Sequence, residues 1–386
     1  MIDRKSDQTR VIILGSMLSL VGSSIFFTMP GYLGQAAAAL KLGPEQIGLL
    51  SGAENIAIGL SGLVASVLHA RINGKVLAGA AALCALGIVL SGLTRDFHML
   101  LACRFLTGLG EGPLYAMSYI VLGMTANPDR AFGIALTVTV GVSAAVLGAP
   151  ASLLNSLGTN ALLLPTVIAA ALLLPTLRWL PKPGGSAPAP QQHGDRGSVL
   201  RPVAILLGMA IWFAAPGLFW AFAETSAVAR GVSATAISIA LSLATLTSLI
   251  GPAIPALVGD RLGRAAPFLL CTVGLAASAA IYPFTTQLTG VALALSLFNI
   301  CWTGATVYQM AMMVAVVPSG RLAGVAAIAQ LAGIAAGALA GGFLIGAFGY
   351  NVGVIGVVTF LFIGTLILML AIFPRAIERR SLQALG

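Results

Sequence analysis

The chain has 386 residues, of which 58% are hydrophobic and 8% charged, and its mean hydropathy is +1.00. Soluble domains carry roughly 25% charged residues, so this composition excludes a soluble globular protein and defines an integral membrane one, with the lipid bilayer as its surroundings. The net charge of +9 comes from basic residues at alternate ends of apolar segments, not from one patch, which argues against a nucleic-acid partner.

Arg4, Lys5 and Arg10 precede the first apolar run in the manner of a secretory signal peptide. The run continues past Pro30 into GYLGQAAAAL, and further apolar segments follow, so it is read as an uncleaved first span. Spans of the first half are expected at about 11–38, 45–69, 75–94, 99–123, 130–154 and 161–180, and those of the second at about 202–228, 234–258, 265–284, 288–315, 321–347 and 352–373. The fold class is therefore an all-α membrane protein of twelve transmembrane helices in two six-helix bundles. Cys84, Cys103, Cys271 and Cys301 lie within spans at no metal or disulfide spacing, so neither a metal site nor a cofactor is expected.

Between the halves, 181–201 reads PKPGGSAPAPQQHGDRGSVLR, a linker unable to bury anything. The domain division is thus 1–180, linker 181–201 and 202–386. With the N-terminus in the cytoplasm, sixteen of the twenty basic residues fall inside and only Lys41, Arg95 and Arg230 outside, which places both termini in the cytoplasm. The halves also repeat. A shift of 189 lays Pro44 on Ser233 and Gly74-Lys75 on Gly263-Arg264, and one of 191 lays RAFGIA at 130–135 on RLAGVA at 321–326. Each half has an even number of spans, so the repeat is parallel, with its axis along the membrane normal.

The fourth span organises the chain. Arg104, Gly108, Glu111 and Tyr115 follow spacings of four, three and four, which put them on one helical face. Charge at membrane depth costs several kcal/mol unless it meets a partner or water, so this face is expected to look into a wet central passage rather than at lipid. Glu54 on the second span and Arg104 lie about 12 and 9 Å from the same side, close enough to pair either as a structural ion pair or as a coupling pair. Glu111, nearer mid-depth, has no equally obvious partner and is assigned a protonatable role. In the second half Asn299, Trp302, Thr306 and Gln309 share a narrow sector of the tenth span. Gln330 on the eleventh and Trp212, Phe219 and Trp220 on the seventh, with Pro216 permitting a bend, supply facing walls. These, with Tyr115, are the candidate solute contacts. Glu224 and Arg230 sit at the outer mouth, and Gly333, Gly337 and Gly341 are read as packing glycines.

Three motifs carry a family resemblance. ALVGDRLGR at 256–264, R104FLTGLGEG and G141VSAAVLGAP resemble motifs of the major facilitator superfamily. The first resembles its loop signature between the second and third helices of a half, where Asp260 at a helix start faces Arg261 and Arg264. The resemblance implies that this cluster, with Arg71 and Lys75 of LHARINGK at 68–75, gates the cytoplasmic side, although Ala70 replaces the expected Asp. It further implies that Arg104 takes part in proton coupling, and that the fifth-span motif, lacking its closing glycines, hints at export.

No dinucleotide, Walker, HExxH or GxSxG pattern occurs, so no enzyme is expected. The expected function is a monomeric, proton-coupled secondary transporter in a bacterial inner membrane, moving a small organic solute by alternating access and favouring export of an amphipathic compound. Uptake of an organic acid anion received by Arg104 is the alternative, and a non-transporting membrane sensor a third reading.

Overall fold

Prolines and glycines decide how these spans break and how closely they approach. In the computed structural model, residues 5–149, 161–181, 200–258, 263–316 and 321–372 are described. The first bundle comprises α1 (Lys5–Leu40), α2 (Pro44–Val67), α3 (Gly74–Leu93), α4 (Phe97–Gly123), α5 (Pro128–Leu147) and α6 (Leu164–Thr176). The second comprises α7 (Leu200–Ala221, extended beyond Phe222 by the short helix Ala223–Ala229), α8 (Ala234–Thr247, resuming at Ile250–Val258), α9 (Ala265–Ile281), α10 (Leu288–Val316), α11 (Arg321–Phe348) and α12 (Tyr350–Ile372). Among the described residues, 11 helical spans are long and apolar enough to cross a membrane. The twelfth is α4, whose Arg104 and Glu111 lower its hydropathy. Helix starts follow their caps: Asn73, Asp96, Asn127 and Ser233 each accept a backbone N–H of the first turn.

The break in α8 has a chemical cause. Pro252 has no N–H to give the carbonyl of Ser248, and the Thr303 hydroxyl of α10 donates to that oxygen instead, at 2.8 Å. The same exchange happens in α1, where Pro30 frees the carbonyl of Phe26. The Trp220 indole N–H of α7 takes it at 2.8 Å, across the boundary between the bundles.

The internal repeat reappears as equivalent crossings. A Cβ on Gly62 of α2 would meet the backbone of Gly112 on α4, and one on Gly251, 189 positions later on α8, would meet Thr303 and the backbone of Gly304 on α10. Arg201 begins α7 by donating to the last carbonyls of α12, Ala371 at 2.6 Å and Ile372 at 2.9 Å, a cation placed at a negative helix end.

Helix α11 has two glycine faces. Gly333 and Gly337 lie on the backbone of Ala210 and Ala214 in α7, and Gly341 on Leu218 and Phe222, which makes them packing glycines within the second bundle as expected. Gly342 and Gly346, one residue round, press on Pro44, Glu45 and Gly48 of α2, and Gly52 of α2 faces Leu339. The bundles meet again where Ser242 of α8 donates to the carbonyl of Ala144 on α5 at 2.8 Å. All these approaches between bundles lie toward the face where α1 ends and α2 begins, here termed the far face. Opposite is the linker face, toward which Tyr119 of α4 is 52% exposed.

Candidate functional site

Helices α2 and α4 cross at glycines, and that closeness creates the charged cluster. A Cβ on Gly108 would strike the backbone of Glu54 and the side chain of Ala57, and one on Gly112 the carbonyl of Ile58. At this separation Arg104 reaches Glu54 with both arms of its fork: Nε lies 3.1 Å from Oε2 and Nη2 donates to Oε1. The pair is sealed, with side-chain exposures of 0% for Arg104 and 1% for Glu54. Tyr32 of α1 covers the guanidinium, its ring centre 4.7 Å from the central carbon. Glu111 is 1% exposed. Its Oε2, like the Arg104 Nη1, finds no hydrogen-bond partner among the described residues.

The expectation that this face looks into a central passage is corrected. A small cavity does lie between the bundles, but Arg104, Glu54 and Glu111 are not among its lining residues. The reason is the face shared by Gly108 and Arg104: it packs on α2, while the backbone of Glu111 packs on Gly22 of α1, so the cluster belongs to the interior of the first bundle. Instead, Phe26 and Met29 of α1 and Ser51 and Asn55 of α2 line the first-bundle wall, facing Pro216, Gly217, Trp220 and Ala221 of α7, Trp302 of α10 and Ile334 of α11. Among the described residues, no charged side chain is on this lining. Asn55 donates to the carbonyl of Ser51 at 2.9 Å and leaves Oδ1 as a buried acceptor with no partner among the described residues.

Of the residues expected to contact solute, Trp220 and Trp302 reach this cavity, their rings 6.3 Å apart. Trp212 does not; it is buried in the second bundle beside Phe268, with its indole N–H 3.2 Å from the Thr272 hydroxyl. Phe219 stacks on Phe298 at 4.0 Å, also inside that bundle. Asn299 and Thr306 donate to carbonyls of their own helix, Leu295 and Trp302. Gln309 is 2% exposed, and among the described residues both of its amide atoms lack partners, as does Nε2 of Gln330. Tyr115 stands 5.5 Å from Phe26 and 5.1 Å from Tyr119, which in turn is 5.3 Å from Phe132. This aromatic series leads from the cavity toward the linker face. Sequence reasoning missed Phe26, Ser51 and Asn55. The signal was there, since Ser51 and Asn55 are polar residues four apart in an apolar span, and Phe26 lies four before Pro30.

The residues assigned to gating divide. Asp260 and Arg261 lie outside the described residues. Arg264 donates to the carbonyl of Ala311 at 2.8 Å, tying the start of α9 to α10 within one bundle. Arg71 and Lys75 are exposed on the linker face. At the far face, the Glu224 carboxyl lies against Gly34 of α1, and Arg230 donates to the carbonyl of Ser226 at 2.9 Å and covers the ring of Tyr282.

Because the Trp220 indole satisfies a carbonyl that Pro30 orphans, Trp220→Phe should keep the ring and lose the bond, weakening far-face closure by about 1–3 kcal/mol. Distances between spin labels on the far ends of α1 and α7 should then shift toward a longer population.

Comparison with known proteins agrees with this architecture. Residues 11–228 match the family model described as Major Facilitator Superfamily. The chain belongs to that superfamily. Among solved structures, a mutant form of the nucleoside transporter NupG is similar with a TM-score of 0.67 at 13% identity, covering 94% of this chain and 98% of that one. A bacterial homolog of the human lysosomal transporter Spinster, in an inward-facing and unoccupied conformation, is similar with a TM-score of 0.65 at 15% identity, covering 95% of each chain. No curated protein matches the sequence. The protein is a multi-pass membrane protein and a secondary transporter of small solutes, not an enzyme.

Proposed function

We propose that this chain is a proton-coupled exporter of a small amphipathic organic solute, acting as a monomer in a bacterial inner membrane with both termini cytoplasmic. Residues 1–180 and 202–386 move as two bodies about the linker 181–201, opening the cavity to each side in turn. The observation that carries this reading is the separation of two environments. An uncharged aromatic cavity lies between the bundles, while Glu54, Arg104 and Glu111 are buried behind its wall.

Helix α2 connects the two. Glu54 points to Arg104, while Ser51 and Asn55 meet the cavity and Gly48 and Gly52 meet α11. Protonating Glu111 or Glu54 removes one negative charge from this cluster, loosening the α2–α4 crossing and biasing how α2 seats on α11. In this reading the far face is extracellular, and the structure is the state closed to the outside.

The cavity favours a flat aromatic compound with an N–H or O–H donor for the free Asn55 Oδ1, held between Trp220, Trp302 and Phe26. Uptake of an organic anion loses its support, because Arg104 is fully buried, held by Glu54, and off the lining.

Ethidium, a flat amphipathic aromatic carrying N–H donors, is a suitable probe. Proteoliposomes should accumulate it under an imposed pH gradient, and Glu111→Gln should reduce accumulation by at least about tenfold, the equivalent of one pKa unit of driving free energy. Accumulation at the wild-type level would remove Glu111 from coupling.

A further inference from the structure

Solute and proton cannot share an entrance if the charged cluster is walled off from the cavity between the bundles. A second opening lies on the far face, inside the first bundle, between α1, α3 and the start of α4. It is a narrow cleft whose polar lining is Arg95, Thr94, Ser91 and Tyr32. These groups are graded in depth: Arg95 is exposed, Thr94 half-buried, and Ser91 and Tyr32 are 3% and 2% exposed. A polar space of this kind, with several donors and acceptors converging, holds water where an apolar one stays dry.

At the base of the cleft stands Tyr32, and directly behind its ring, 4.7 Å away, is the guanidinium that grips Glu54. One side chain therefore separates the cleft from the ion pair. The groups within electrostatic reach of Glu54 are Tyr32 from α1, Arg104 and Glu111 from α4, and Cys84 from α3. With both carboxylates ionised, Arg104, Glu54 and Glu111 sum to one negative charge, which attracts a single proton.

We propose that the cleft between α1, α3 and α4 is the proton entrance of the transporter, open to the far face while the seam between the bundles is shut, with Tyr32 as the barrier between the cleft and Glu54. A hydronium ion in the cleft gives its proton, past Tyr32, to the Glu54 carboxylate. The hydronium becomes water, Tyr32 is unchanged, Glu54 becomes a neutral acid, and Arg104 keeps its charge. Arg95 at the mouth excludes metal cations by repulsion, while a proton passes by exchange along hydrogen bonds. This inference rests on the proton-coupled reading and assigns the route that reading requires.

Two measurements test it. In a background with Cys84, Cys103, Cys271 and Cys301 replaced by serine, the seam is first clamped by a short crosslink between Glu45→Cys and Gly346→Cys. A cysteine is also introduced at position 91, 94 or 55 and treated from the far side with a membrane-impermeant anionic thiosulfonate. Ser91→Cys and Thr94→Cys should react and Asn55→Cys should not. Protection of both 91 and 94 overturns the cleft.

The second measurement follows proton movement coupled to ethidium in proteoliposomes. Thr94→Leu and Ser91→Leu, which fill the cleft, should slow proton movement by about tenfold or more while counterflow of radiolabelled ethidium at equal pH is retained. A wild type that moves ethidium with no proton overturns the coupling reading and the role of the cleft with it. A coupled wild type whose filled variants keep full proton flux overturns the cleft alone.

Discussion

Replacing Arg104 by leucine should destabilise the fold by about 3–5 kcal/mol, the cost of leaving a buried ion-pair partner uncompensated. The carboxylate of Glu54 would be stranded at 1% exposure, with Glu111 nearby in the same bundle and no other basic side chain among the described residues in hydrogen-bond contact with Glu54. The double variant Arg104→Leu, Glu54→Leu removes both charges and should recover most of that loss, since apolar residues of similar volume often replace a buried pair at little cost. Thermal unfolding in detergent measures both. Transport decides what the pair is for. If it only holds α2 to α4, the double variant should still accumulate ethidium against a pH gradient. If it couples, the double variant should be folded, exchange-competent and unable to accumulate. That second pattern is the expected one.

Gly342→Leu should leave a folded protein that cannot shut its far face. A Cβ there would sit 2.9 Å from the carbonyl of Pro44 and 3.2 Å from the Cα atoms of Glu45 and Gly48, and backbone has no room to yield. Overpacking of this kind costs about 1–3 kcal/mol. Here that cost falls on one conformation, because α2 and α11 belong to different bundles and can separate. At 1.4 kcal/mol per factor of ten, the closed state should be depopulated by about fivefold to a hundredfold. The readout is labelling of Asn55→Cys from the far side, blocked when the seam is shut and fast when it is not, together with loss of net transport. Gly337→Leu, five positions earlier, makes the comparison sharp. It faces the backbone of Ala214 inside the second bundle, where no conformational change gives relief, so it should prevent folding instead of trapping a state. Equal behaviour of the two variants would show that the α2–α11 contact is not a moving seam.

The amino-acid sequence by itself determined that the chain crosses a membrane twelve times in two repeated halves, because only helices satisfy their backbone in lipid and the apolar segments and glycine offsets recur at fixed spacing. It also determined that Arg104 and Glu111 face away from lipid, since ionised groups at that depth are too costly to solvate with hydrocarbon. Which inward surface they face was decided only by the tertiary structure. Helical periodicity says that residues share a side and is silent about which neighbour covers it. Arg104 and Glu111 were therefore expected at a central passage and are found inside one bundle, enclosed by α1, α2 and α3. Trp212 and Trp220 show the same limit on one helix, for α7 touches α9 and α12 on one side and α1 on the other. Likewise the orphan carbonyl of Phe26 follows from Pro30 in the sequence, but the indole that completes it comes from 194 positions away, and only packing brings the two together.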